Sequence, residues 1–120
     1  MDMSDVLTAA MDDYNALLAA GHNPWPGDDE ALNAAEARLK RLSEGAHLAA
    51  LPAPGRRVQV ILPYLRGPLG RYGRVEFSYR VKDNGEAYAR VLLEADGRNP
   101  AVREMIALRC LRDAEGDKGT

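Results

Sequence analysis

Nucleophilic catalysis needs a nucleophile and a base held together. The chain offers one cysteine, Cys110, three serines, Ser4, Ser43 and Ser78, and two histidines, His22 and His47. None stands in a recognisable catalytic motif. Cys110 lies four residues after Ile106 and eight after Val102, a stripe of helical period that predicts a buried structural thiol. Neither histidine has a His or Cys partner at ligand spacing, so no zinc site is expected. Asp28, Asp29 and Glu30 carry the charge a hard cation needs, but acidic residues at a helix start are the ordinary capping pattern. Gly67 to Gly73 has glycine at every third position, yet it lacks the Lys-Ser/Thr pair of a phosphate loop and leads into a strand. The inventory predicts no catalytic residue, no cofactor, no metal and no small-molecule substrate.

What the residues do supply is a basic surface containing an aromatic. By strand alternation Arg57, Arg74, Arg80, Lys82 and Arg90, with Tyr88, fall on the sheet face opposite the apolar stripe. Basic groups beside an aromatic clamp phosphates and stack bases. Glu76, Glu86 and Glu94 share that face and offset its charge. Arg71 to Phe77 resembles part of the RNA-recognition signature in Tyr72, Gly73, Val75 and Phe77, with Arg74 where an aromatic belongs. The order helix, three strands, helix from Asp28 onward is similar to that of double-stranded RNA-binding domains. The similarity is one of topology: Asn99-Pro100-Ala101-Val102-Arg103 stands where that family has a lysine cluster.

The elements that position these residues follow from periodicity. Leu7, Met11, Tyr14 and Leu18 predict an amphipathic helix over 4–20, with Ser4 as N-cap and Gly21 as stop. His22 to Gly27 contains two prolines and breaks it. Asp28 or Asp29 then caps a second helix carrying Leu32, Ala35, Leu39 and Leu42, closed by Gly45, with one more turn over Ala46 to Leu51. This helical hairpin over 4–51 ends in a linker, Pro52 to Gly55. Residues 56–95 alternate with period two and read as a three-stranded antiparallel meander, its first strand demoted to an edge by Pro63. A three-residue loop with Gly85 left-handed opposes Lys82 to Glu86, Arg80 to Tyr88, Ser78 to Arg90, Phe77 to Val91 and Arg74 to Glu94. Asn99-Pro100 reads as the start of a C-terminal helix over 99–112, followed by a frayed tail over 113–120. The predicted fold is one α+β domain over 1–120, in the order ααβββα.

A chain of 120 residues supports one core without a disulfide or metal. The net charge of −2 conceals segregation: residues 1–37 hold eight acidic and no basic residues, whereas 38–112 hold fifteen basic and seven acidic ones. The plain account of that asymmetry is attraction between the halves within the fold. Arg outnumbers Lys thirteen to three, a composition typical of a GC-rich bacterial or phage genome. No apolar run approaches the roughly 20 residues of a membrane span, and Asp2 and Asp5 stand where a secretory signal carries basic residues. The expectation is a soluble, cytoplasmic or otherwise intracellular chain that meets no membrane. The final helix is apolar on more than one side. Leu108 and Leu111, rimmed by Arg109 and Arg112, are therefore expected to form an interface with a protein partner or a second copy. The sequence reads as a non-enzymatic protein-interaction or assembly module, homodimeric in one form. Its alternative is nucleic-acid binding on the arginine-rich sheet face.

Overall fold

The computed structural model describes residues 3–24, 27–64, 69–97 and 99–116. Two helices open the chain, α1 (Met3–Ala19) and α2 (Glu30–Ser43). Leu7, Ala10, Met11 and Tyr14 of α1 are buried with Leu32 and Leu39 of α2, as the stripes require. Asp29 is the N-cap of α2, its carboxylate accepting from the Leu32 amide at 3.0 Å. Ser4 lies inside α1 and its side chain is outside the described residues, as are Trp25 and Pro26 of the connection. The extra turn expected after Gly45 does not form. Instead His47 bridges to Arg112 and the Leu48 amide donates to the Leu111 carbonyl at 2.9 Å, so this segment runs along the sheet.

The α+β class holds, but five antiparallel strands replace the expected three: β1 (Arg57–Val60), β2 (Tyr72–Arg80), β3 (Ala87–Leu93), β4 (Val102–Ala107) and β5 (Leu111–Asp113), in the order β4-β3-β2-β1-β5. There is no C-terminal helix. The segment assigned to it forms β4, a single 3₁₀ turn (Leu108–Cys110) and β5. Asn99 and Pro100 belong to a hairpin, not a cap: the Asp96 amide donates to the Asn99 carbonyl at 2.9 Å and the Asn99 amide to the Asp96 carbonyl at 2.8 Å. With a tight turn there, β4 returns along the open edge of β3 and satisfies its ladder. Those pairings outweigh the helix preference of an Arg-, Glu-, Met- and Leu-rich segment. The topological similarity to double-stranded RNA-binding domains disappears with that helix. Nor is β1 an edge strand, since β2 and β5 flank it and Pro63 lies beyond its end.

Strands β4 and β5 occupy opposite ends of the order yet are joined by three residues. In a flat sheet, four interstrand steps of about 4.8 Å would separate them by about 19 Å. Three residues of 3₁₀ helix advance only about 6 Å. The sheet must therefore curl into a small barrel left open between β4 and β5, and the Ile61 amide, donating to the Cys110 carbonyl at 2.8 Å, extends the β1–β5 pairing into the turn that joins those two edges. Val58, Val60, Val75, Ala89, Val91, Leu93, Ile106 and Leu111 fill the interior. The helices share this core through Leu69, and Asn15 pins α1 there: its side chain accepts from the Leu69 amide at 2.7 Å and donates to the Leu69 carbonyl at 2.9 Å.

The β2–β3 register differs by one residue from the expected one: Phe77 faces Arg90, Ser78 faces Ala89, Tyr79 faces Tyr88 and Arg80 faces Ala87. A β-bulge between Val75 and Phe77 shifts it again, so Val75 faces Val91. Gly85 is left-handed as expected, at φ +72°, but the turn is longer, with the Val81 amide bonded to the Glu86 carbonyl at 2.7 Å. Because side chains alternate, one inserted residue reverses every one beyond it. Val75 points into the barrel, while Phe77 and Tyr79 point out of it.

Candidate functional site

The registers lay out the outer face of β2, β3 and β4 as three rows: Arg74–Leu92–Arg103, Phe77–Arg90–Met105 and Tyr79–Tyr88–Ala107. Four of these are large apolar side chains in contact with water, Phe77 (43% exposed), Tyr79 (41%), Leu92 (36%) and Met105 (43%). The aromatics form a short ladder. Ring centroids are 6.5 Å apart for Phe77 and Tyr79 and 5.9 Å for Tyr79 and Tyr88. Glu76, the residue at the bulge, lies 3.4 Å from Arg90 Nε and 3.0 Å from Arg103 Nε, so one carboxylate orients two guanidinium groups. Arg74 donates to the Gly55 carbonyl at 2.9 Å.

Of the basic residues expected on one face, Arg74 and Arg90 lie here with Tyr88. Arg57 is beside Arg74 on β1, its guanidinium 4.1 Å from the centre of the Tyr72 ring and 3.5 Å from Glu94. Arg80 is not on this face. Opposite Ala87 on the core side of β2, it donates to the Gly85 carbonyl at 2.7 Å. Lys82 is exposed in the turn. Strict alternation puts Phe77 and Tyr79 with Val75 on the apolar stripe, and the helix expected over 99–112 takes in Met105 and Arg103. Leu92 was the visible signal, because it follows Tyr88 and Arg90 on the outward alternation of β3.

Leu108 and Leu111, expected at the centre of an interface, are 4% and 0% exposed and belong to the core. They sit where the 3₁₀ turn joins β4 to β5, not on a helix face. Arg109 is exposed and paired with Glu86, while Arg112 Nε donates to Gln59 Oε1 at 2.6 Å. Cys110 is buried, at the end of the 3₁₀ turn rather than on a helical stripe. Burial pushes its thiol above the usual range, which disfavours the thiolate. His22 lies 2.8 Å from Asp29, and His47 bonds the Leu48 carbonyl. Backbone donation from Leu32, with help from His22, holds the Asp29 carboxyl below its ordinary range. Among the described residues no three His, Cys, Asp or Glu side chains gather to hold a metal ion. No described helix is long and apolar enough to cross a membrane.

At one end of the barrel a cleft of about 270 Å³ is lined by Arg57, Arg71, Tyr72, Glu94 and Asp96. Arg71, 9% exposed, donates from Nη2 to the Glu94 and Pro100 carbonyls, both at 2.8 Å, and so holds the β3–β4 hairpin against the start of β2. Two arginines and two carboxylates leave this cleft without a dominant charge. No family model matches the chain, and no curated protein or solved structure matches it.

Proposed function

We propose that the protein is a non-enzymatic interaction module that binds another protein surface through the outer face of β2, β3 and β4. The observation that carries this reading is the bulge at Glu76, which turns Phe77 and Tyr79 outward beside Tyr88, Leu92 and Met105. Bulges re-aim side chains in this way. Exposed aromatics, a methionine and arginines around an apolar centre are the composition of protein interfaces and of their energetic hot spots. The reading retains the module expected from the sequence and moves its surface from Leu108 and Leu111 to this face.

A double variant, Tyr79→Asp with Met105→Asp, tests it. Both side chains are exposed, so the variant keeps its circular dichroism and its unfolding midpoint. It loses the protein contact that the wild type makes, whether with a second copy in sedimentation or with a partner retained on a column. A wild type that neither self-associates nor retains any protein the variant fails to retain overturns the reading. The interleaving of Arg74, Arg90 and Arg103 with three aromatics favours a second reading, a single-stranded nucleic-acid platform. Binding of an oligonucleotide probe that weakens steeply with added salt, and is lost in Arg74→Ala/Arg90→Ala, would establish it instead.

A further inference from the structure

We infer that the outer sheet face docks the exposed acidic stripe of α1 from a second copy of this chain, an inference that rests on the reading above and names its partner. The stripe consists of Asp5, Ala9, Asp12 and Ala16, all exposed and spaced along one side of α1. Neither Asp5 nor Asp12 makes an ion pair among the described residues. Pairing between the acidic and basic halves reaches other carboxylates, Asp13 with Arg38 and Glu36 with Lys40 inside the hairpin, while Arg57, Arg90, Arg103 and Arg109 find Glu94, Glu76 and Glu86 inside the barrel, and it leaves Asp5 and Asp12 aside. The rows of the outer face carry three arginines against Glu76, and the stripe carries two aspartates, so the charges are equal and opposite.

The dimensions agree as well. Asp5 and Asp12 are seven residues apart, about 10 Å along a helix. Arg74 and Arg103 flank Leu92 in one row, two interstrand steps apart, also about 10 Å. Ala9 between the aspartates, with Ala16 one turn beyond, leaves room for Leu92 and the aromatics to approach the helix. The contact cannot form within one chain, because the opposite stripe of α1 is buried in its own core and Asn15 ties the helix to Leu69. Each copy thus presents both halves of the contact, giving either a reciprocal dimer or a head-to-tail chain.

Charge reversal of the two halves separately, followed by mixing, decides the matter. At low ionic strength the wild type sediments with a mass that rises with concentration and falls as salt is added. Asp5→Lys/Asp12→Lys and Arg74→Glu/Arg103→Glu each sediment as monomers, and an equimolar mixture of the two associates again, because the unaltered stripe of one variant meets the unaltered rows of the other while lysine stripes meet glutamate rows. Circular dichroism verifies that both are folded. The neutral pairs Asp5→Asn/Asp12→Asn and Arg74→Gln/Arg103→Gln, which weaken association without reversing charge, serve if a reversed variant unfolds. A wild type that stays monomeric up to hundreds of micromolar, a reversed variant that associates like the wild type, or a mixture that stays monomeric overturns the inference. A monomeric wild type that still retains a protein partner lost by Tyr79→Asp/Met105→Asp overturns self-docking alone. A monomer with no such partner overturns the interaction reading too, and salt-sensitive binding of an oligonucleotide to the same face assigns that face to nucleic acid.

Discussion

Two glycines show that the same residue type can be required for opposite reasons. Gly85 needs its backbone freedom: φ is +72° and nothing stands within 4 Å of an added Cβ. Gly85→Val is expected to cost about 1–2 kcal/mol in urea unfolding, and Gly85→Asn distinctly less, because asparagine tolerates the left-handed region. Gly73 needs its lack of a side chain instead. A Cβ there would lie 2.6 Å from Val91 Cγ1 and 2.7 Å from the Leu92 carbonyl oxygen, the second of which is backbone. Gly73→Ala should therefore cost about 1–3 kcal/mol by overpacking, and a wild-type midpoint would contradict the close approach of β2 and β3. Ionisation is tuned at this scale too. The Arg56 guanidinium holds the Asp113 carboxyl below its ordinary 3.8, as the Leu32 amide does for Asp29. A carboxyl lowered in the folded state stabilises it above the unfolded pKa, and the contribution is lost as pH falls through the lower, folded value. Asp113→Asn should remove part of the stability present at neutral pH and flatten its decline below about pH 4; an unchanged acid limb would argue against the Arg56 contact.

Among the elements, β4 is the one whose intrinsic preference and final state disagree. Its residues are good helix formers, and only the β3 edge makes them a strand. A peptide covering 99–113 should be disordered alone in water and helical in trifluoroethanol. In the whole chain, the Met105 and Ala107 regions should show strand chemical shifts, with close Cα proton contacts between Arg90 and Met105. Helical shifts there in the folded protein would refute the five-stranded arrangement. The bulge works in the other direction, leaving β2 a strand while exchanging which of its residues are wet. Its cost is the exposure of Phe77 and Tyr79, side chains that burial would otherwise stabilise by up to about 2–3 kcal/mol each.

At the scale of the whole molecule, the curling of the sheet converts an expected surface into a core. Leu108 and Leu111 lie where the 3₁₀ turn carries the chain from one edge of the sheet to the other. Replacing both by aspartate puts two carboxylates among apolar side chains without partners, so the double variant should lose cooperative unfolding outright. A folded Leu108→Asp/Leu111→Asp protein would return these leucines to the surface. The contrast with Tyr79→Asp/Met105→Asp, which should fold normally, separates the two faces of the barrel in one comparison.

Local chemistry was enough to write α1 and α2 into the sequence, through the stripes Leu7–Met11–Tyr14 and Leu32–Leu39 and the Asp29 cap, because helix periodicity and capping act within a few residues. It was enough for the alternation of β3 and the left-handed Gly85, whereas Cys110 is buried by the 3₁₀ turn and not by the helical stripe expected of it. Those features left three questions to the tertiary structure. The fate of 99–113 depended on an unpaired β3 edge more than a turn away. The direction of Phe77 and Tyr79 depended on one inserted residue, Glu76, whose bulge pairs two residues of β2 against one of β3 and so carries no periodic signal of its own. The burial of Leu108 and Leu111 depended on the curling of the sheet, a property of five strands together. Alternation tells which residues share a face, but only the pairing of strands far apart in sequence decides which face is turned to water.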